Sequence, residues 1–490
     1  MEYRHIHFLR YQDRLSGSGP CPIAEVYITE QTTNAVASIK FGIKNLFRCR
    51  IYASHRVRHP PSHPQSCWQC STAQPCHKTV SVLPHPGHRD LTDRGTIMVW
   101  SVLARLPRLL WFSFVPHRSG PYPKLSLQRL VVMLAFWPIF LCYLIITSLC
   151  LCLDHLLFPG FKHVTISRPW MVIGIPRSGT TFLHRLLAGD QQHFTTMTLQ
   201  QLIFAPSIVQ RLIGLALSTL DRTLGAPVHT LLVRLQRQLF AGLDGIHSTG
   251  LEQPEEDYLG LIPALHCFLL ILPFGDPALM RLAYFDRDAS AQERDSLMRY
   301  YRRLVQRHLY VQKHWHKSEA TYLCKNPSFT PLFQTLATAF PDARFIACLR
   351  TPDQAVPSQV SSILIGARMF SGSVNKAWWC DNLVAMLRFY YSHLLSNLSD
   401  VGPDRHGFVR MEQLAGAPSA TVTALYKRFH LPLTEHYRRW LAEEDTQAKA
   451  YRSAHHYRGS ALGISAQDLC VRFEFVYRDL GYPQPEQFET

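Results

Sequence analysis

The sequence predicts an α/β protein, a mostly parallel sheet flanked by helices and preceded by a transmembrane helix. Three observations predict it. After residue 165, short apolar runs (Trp170–Ile175, Tyr322–Cys324, Ala343–Leu349, Gly407–Met411) alternate with helical patterns, the rhythm of strands joined by crossover helices. The first run ends in a glycine-containing turn that opens into a helix, Thr181–Ala188. Before these, Leu130–Leu153 carries no charge and is long enough to cross a hydrocarbon core of ~30 Å.

At 490 residues the chain can form one large α/β domain or two ordinary ones. With 47% hydrophobic and 18% charged residues it is a folded chain carrying an unusually apolar segment, not a disordered one. Its 51 Lys and Arg against 35 Asp and Glu give a formal +16, which implies an anionic partner: a nucleotide or an anionic membrane surface. No nucleic acid is expected, because zinc-finger spacing, RNP-like strands and basic runs interleaved with aromatics are not evident. The 13 cysteines follow no regular spacing. Cys67 and Cys70 form a CxxC followed by Cys76 and His77, but without a second spaced pair no metal site is expected.

Residues 1–97 show no sustained period and contain Pro- and His-rich patches, so they are expected to be disordered, or an extension ahead of a start at Met98. Residues 98–129 form a basic and apolar juxtamembrane segment in which Trp100–Val115 suits an interfacial helix. Residues 130–153 read as the membrane helix, with Pro138 tolerated; a buried core helix is the alternative. Arg105, Arg108, Arg118, Lys124 and Arg129 precede it, whereas Asp154 and Lys162 follow. A single-pass protein is therefore expected, with a cytosolic N-terminus and a lumenal, Golgi-like domain over residues 165–485. The sequon Asn397-Leu398-Ser399 is compatible with that side.

The strongest local signal is the strand–turn–helix through Gly174-Ile-Pro-Arg177-Ser178-Gly179-Thr180-Thr181. Backbone N–H groups and the positive helix end converge there on one anion, Gly179 permits close approach, and three hydroxyls add donors. This P-loop-like turn has the glycine spacing of a nucleotide-triphosphate loop, but Thr180 stands where the lysine should be, and the cation is Arg177 instead. Further along, the apolar strand Ala343–Leu349 ends in Arg350, with Ser358 on the first helical turns that follow, a second pair able to grip a phosphate.

These segments resemble the sulfotransferases that use 3′-phosphoadenosine 5′-phosphosulfate (PAPS), in the broad Pro-Arg-Ser-Gly-Thr-Thr group of bacterial-type and tyrosylprotein-like enzymes. The resemblance covers roughly Arg168–Tyr482. It implies that Arg177, Ser178, Gly179, Thr180 and Thr181 hold the 5′-phosphosulfate of this co-substrate, and that Arg350 and Ser358 hold its 3′-phosphate. Gln253-Pro-Glu255-Glu256-Asp-Tyr258 is similar to an acidic stretch of that group, and His455-His456-Tyr457 to a closing segment that adds Tyr457 to the donor site.

Sulfonate transfer needs in-line attack, a base, and positive charge at the sulfonate and the leaving phosphate. Arg177 and Lys325 are assigned the charge role, Lys325 because it follows a strand and so reaches the carboxyl edge of the sheet. Cytosolic relatives place a histidine shortly after this lysine; here Asn326, Pro327 and Ser328 follow instead. A carboxylate is then the expected base, Glu256 beside Glu255, with His266 in reserve. The same acidic run could equally begin a helix after Pro254. A membrane-bound nucleotide kinase or a non-catalytic nucleotide-fold protein are the rival functions, and the acceptor (carbohydrate, peptide, sterol or lipid) is left open.

Overall fold

The computed structural model describes residues 95–225, 251–450 and 465–483, together with three short strands before residue 53. Those strands form an antiparallel meander, Val26–Ile28 beside Ser38–Phe41 beside Arg50–Tyr52, within a unit that ends at Arg89. The CxxC around Cys67, and Tyr457 with its neighbouring histidines, lie outside the described residues.

The second unit is built on five parallel strands: β1 Trp170–Gly174, β2 Phe194–Thr195, β3 Thr321–Lys325, β4 Arg344–Leu349 and β5 His406–Arg410. Their order is β2-β3-β1-β4-β5. The chain thus builds outward from β1 to one side and then returns to the other. The ends of β3, β1 and β4 consequently lie side by side at the switch point where open α/β sheets bind ligands. All four expected strands are present; the two-residue edge strand β2 was too short to leave a pattern.

The strands read as unbroken apolar runs because both faces of the sheet are covered. Alternate residues divide cleanly: Met171, Ile173, Tyr322, Cys324, Phe345 and Ala347 join one cluster, whereas Trp170, Val172, Leu323, Ile346 and Cys348 join the other. The first cluster is closed by α5 (Ala291–Trp315), α6 (Pro352–Phe370) and α7 (Lys376–Asn397), the second by α3 (Thr180–Ala188) and α8 (Pro418–Arg428).

Two long helices come first, α1 Gly95–Phe114 and α2 Leu127–Leu157, and α4 (Ile208–Thr223) lies beside α2. The apolar helix expected over 130–153 is longer, at 31 residues, with Ser126 as its N-cap and a mean hydropathy of 2.5 over its most apolar stretch. It is not a free-standing segment ahead of the domain. A stripe through Met133, Trp137, Phe140, Leu144, Thr147, Cys150 and Asp154 is buried. Near its start Gln128 donates to the Arg368 carbonyl at 2.8 Å; in the middle the Trp137 and Phe140 rings meet Phe274; near its end Asp154 accepts from Arg307 at 2.7 Å and from the backbone of Ile208 and Val209. The sequon asparagine is also committed: Asn397 ends α7, its amide donates to the His393 carbonyl, and its oxygen accepts from Gln334.

Gly174 joins β1 to the loop with φ +128°, and a Cβ placed there would lie 2.2 Å from the Cys348 carbonyl oxygen of β4. The Thr330 hydroxyl closes the same point, donating to the Gly174 carbonyl at 2.6 Å and accepting from its N–H at 3.1 Å. Gly174→Ala is expected to destabilise the protein by about 3 kcal/mol or more, from combined backbone strain and lost β1–β4 pairing. Urea denaturation compares it with the wild type, and a loss under ~1 kcal/mol would contradict this account.

Candidate active site

The loop after β1 is held from below by Ser178. Its hydroxyl donates to the Ile175 and Cys348 carbonyls and its N–H to the Ile175 carbonyl, and the residue is fully buried. Ser178 therefore shapes the loop and does not turn its hydroxyl to a ligand, unlike the expectation for it. Gly179 caps α3 in the left-handed region (φ +82°), with the Met411 sulfur 2.4 Å from where a Cβ would be. The free N–H groups at the start of α3 and the hydroxyls of Thr180 and Thr181 remain as donors.

Arg177 also occupies the left-handed region, at φ +69°, an uncommon conformation for a residue with a Cβ. From there its Nε donates to the Ser358 hydroxyl on α6 at 2.9 Å. Arg350, at the end of β4, donates from Nη1 to the Arg177 carbonyl at 3.1 Å and from Nε to Gln354 at 3.0 Å. Residues far apart in sequence thus form one cluster: Arg177, Arg350 and Ser358. Burial lowers the Arg350 pKa, Glu412 opposes that shift and the Arg177 charge adds to it. Cations pressed together in this way are relieved by an anion.

Lys325 closes the other side. It is the last residue of β3, 1% exposed, and its ammonium donates to Glu255 at 2.8 Å, to Glu256 at 3.2 Å and to the Thr181 hydroxyl at 3.2 Å. The cation absent from the loop at position 180 is therefore delivered to its neighbour from the adjacent strand. Burial alone would lower the Lys325 pKa, but Glu256 and Glu255 outweigh it and raise it, so the lysine stays charged. Glu256 moves up from the usual carboxylate range: burial raises it, Lys325 pulls the other way, and Glu255 adds to the rise. Its second oxygen lies 3.4 Å from the Ser328 hydroxyl. Glu255 serves also as a backbone brace, accepting the Glu256 N–H at 3.0 Å.

His266 is elsewhere. Its Nδ1 lies 2.7 Å from the Ala264 carbonyl and its Nε2 3.1 Å from Glu293, which also pairs with Arg281 and Arg105. Both ring nitrogens face acceptors, so neither lone pair is offered to an acceptor hydroxyl, and the reserve assignment as base is set aside.

What the sequence did not reveal is how the acidic turn is fixed. Asp257 is buried and accepts from the Tyr301 hydroxyl on α5 at 2.7 Å and from Tyr322 on β3 at 2.5 Å. Asn326 accepts the Tyr258 N–H at 2.9 Å and donates its own N–H to Val172 of β1 at 2.8 Å. From the other direction, Glu255 donates its N–H to Met197, and residues 199 and 200 donate theirs to Gln253 and Leu251. Asp257 also opens a short 3-10 helix, so the expectation that the run begins a helix holds for it while its two neighbours turn to Lys325. A tyrosine spacing of 21 residues across a helix and a strand gives no sequence signal of a shared carboxylate.

Anion donors at a helix start, paired arginines, and a buried lysine set against carboxylates thus meet at the ends of β1, β3 and β4. The family model of the sulfotransferase family matches residues 169–435, more than half of the chain, and the chain belongs to that family. Among solved structures it is similar to sulfotransferase STF1 from Mycobacterium tuberculosis H37Rv, 19% identical with a TM-score of 0.56, over 78% of this chain and 93% of that one. It is likewise similar to sulfotransferase STF9 from Mycobacterium avium, 18% identical with a TM-score of 0.55, over 69% and 83%. These likenesses are of fold. No curated protein matches the sequence significantly.

Burial holds the Asp257 pKa up at about 7, with the two tyrosine hydrogen bonds pulling it down. The folded state therefore keeps a proton that the unfolded chain releases near pH ~4. Stability from this group is full below that value and declines as pH rises through the window to about 7. Asp257→Asn should flatten that decline; denaturation at both ends of the window measures it, and equal slopes in the two proteins would contradict it.

Proposed function

We propose that this sulfotransferase uses PAPS as its donor and passes the sulfonate to a hydroxyl or amine of its acceptor. The observation that carries the reading is the convergence of Arg177, Arg350 and Ser358 beside the start of α3, with Lys325 on its far side. The donor has two separate anionic groups, and the cluster offers two matching kinds of site. The helix start and Lys325 suit the phosphosulfate, and Arg350 with Ser358 suits the 3′-phosphate. A triphosphate–magnesium kinase is supported less well, because the loop itself lacks the lysine.

In this reading the acceptor hydroxyl gives its proton to Glu256 as its oxygen attacks sulfur. The bond between sulfur and the 5′-phosphate oxygen breaks, and 3′-phosphoadenosine 5′-phosphate leaves with the electron pair. Lys325 and Arg177 offset the charge that develops on the leaving oxygen and the sulfonate. The raised pKa of Glu256 supports its role, since a base is most effective when its pKa is near the working pH. Ser328 and Glu255 orient it. Attachment to a membrane through α2 belongs to the same reading. The charge asymmetry about that helix would place the domain in a Golgi-like lumen if α2 crossed the bilayer.

Incubating the purified chain with radiolabelled PAPS and fractionated glycan, peptide and lipid acceptors tests the reaction; label retained only as donor or free sulfate would refute it. Glu256→Gln should abolish transfer while leaving binding of 3′-phosphoadenosine 5′-phosphate within about twofold, and unchanged turnover would reject the base. Arg350→Ala should raise the Kd for that nucleotide about tenfold to a hundredfold, the effect of one charge-assisted phosphate contact. Calorimetry reads it, and an unchanged Kd would place the 3′-phosphate elsewhere.

A further inference from the structure

Helix α2 is apolar enough to cross a bilayer, yet it is fastened to the domain at its start, its middle and its end. At 1.5 Å per residue it runs about 46 Å, longer than the ~30 Å hydrocarbon core. If it stood across a membrane, Phe274, Phe370 and the start of α4, all in contact with it, would lie at hydrocarbon depth, and the charged body of the domain would follow them. Only 28% of its most apolar stretch is buried, so it is not a core helix either. The side away from the domain presents Leu134, Ile139, Ile145, Leu149 and Leu156 to the exterior, Ile139 at 70% exposure.

Its neighbour α4 adds a second observation. Past Arg211, residues 212–220 are exposed on every side, and they carry Leu212, Ile213, Leu215, Leu217 and Leu220 without a charge. A helix apolar all round belongs inside a core or a bilayer. Its hydroxyls need no water: Ser218 and Thr219 both donate to the Leu215 carbonyl, at 2.9 and 2.8 Å, and Thr223 donates to Leu220 at 2.7 Å. A flat protein partner would cover one side of such a helix, whereas fluid hydrocarbon covers all of them. On α1, which also packs on α2, Trp111 is 62% exposed. Charges on and around these surfaces are Arg105 and Arg108 of α1, paired with Glu293 and Asp276, Arg118 and Lys124 between α1 and α2, Arg368 beside the start of α2, and Asp221 with Arg222 at the end of α4. Cations and an exposed tryptophan at the border of an apolar surface match the anionic headgroup layer.

We propose that α1, α2 and α4 seat the enzyme in one leaflet of an anionic bilayer, α2 lying along the membrane with its outer side in the acyl region and not crossing it. This deepens the membrane attachment read above and is independent of the reaction and its donor. The seat also bears on the active site, because the segment leading into α4 is hydrogen-bonded at residues 197–200 to the acidic turn.

The test uses the full chain with phosphatidylcholine vesicles, with and without phosphatidylserine. Flotation is expected with both and more strongly with phosphatidylserine; no flotation with either overturns the attachment itself. Ile139→Glu with Ile145→Glu should cut partitioning at least about tenfold with an unchanged circular dichroism spectrum in detergent. Should that variant misfold, Arg118→Glu with Lys124→Glu should weaken binding to phosphatidylserine vesicles about tenfold while sparing neutral ones. Unaltered binding in that variant overturns the charged border. Epitope tags at both chain ends, in sealed vesicles treated with protease, decide the topology. Digestion of both tags supports the in-plane seat, and protection of one alone shows a crossing and overturns it, leaving attachment intact. A soluble dimer that binds no vesicles assigns the face to a second copy and overturns the proposal.

Discussion

A buried ammonium is tolerated only where charge and hydrogen bonds replace the water it has lost, and Lys325 meets that requirement through three side chains from two other parts of the chain. Its partners are Thr181 at the head of α3 and the side chains of Glu255 and Glu256 on the acidic turn. The lysine thereby fixes the distance between the anion-binding loop and the carboxylates. Burial raises the Glu256 pKa against the pull of Lys325, and the two carboxylates in turn keep the lysine charged. One constraint, a cation at the end of a central strand, fixes where the anion-binding loop and the carboxylates stand relative to each other.

The surrounding structure serves that pair. Strand order puts the ends of β3, β1 and β4 side by side, and Gly174 lets β1 pass close enough to β4 for the loop to be gripped through Cys348. Asp257 and Asn326 tie the acidic turn to α5, β3 and β1. The arginine cluster on the β4 side is assembled through Arg177, whose left-handed backbone turns it toward α6.

Much of this was legible in the sequence because it rests on local pattern. Unbroken apolar runs gave the four longer strands, and the Gly174–Thr181 turn marked the first loop. The eight-residue interval between Arg350 and Ser358 pointed to the second loop, and the structure brings both residues to Arg177. What failed depended on contacts between distant segments. Ser178 looked like a ligand donor but is consumed by two backbone carbonyls, and His266 looked available until Glu293 was seen beside it. The apolar run at 130–153 announced hydrophobicity without announcing which side was already covered. Composition records how much apolar surface a helix has, whereas docking decides how much of it is left.

The stretches on either side of the segment that carries α4 pair with each other, residues 197–200 with 251–255, including an antiparallel bridge between Thr198 and Pro254. Its ends are thus clamped together independently of what lies between them. Closing a longer or shorter excursion on such a stem changes the chain entropy only slowly with length. The stem therefore holds the acidic turn, and with it Glu255 and Glu256, beside Lys325 whatever the length of chain it closes.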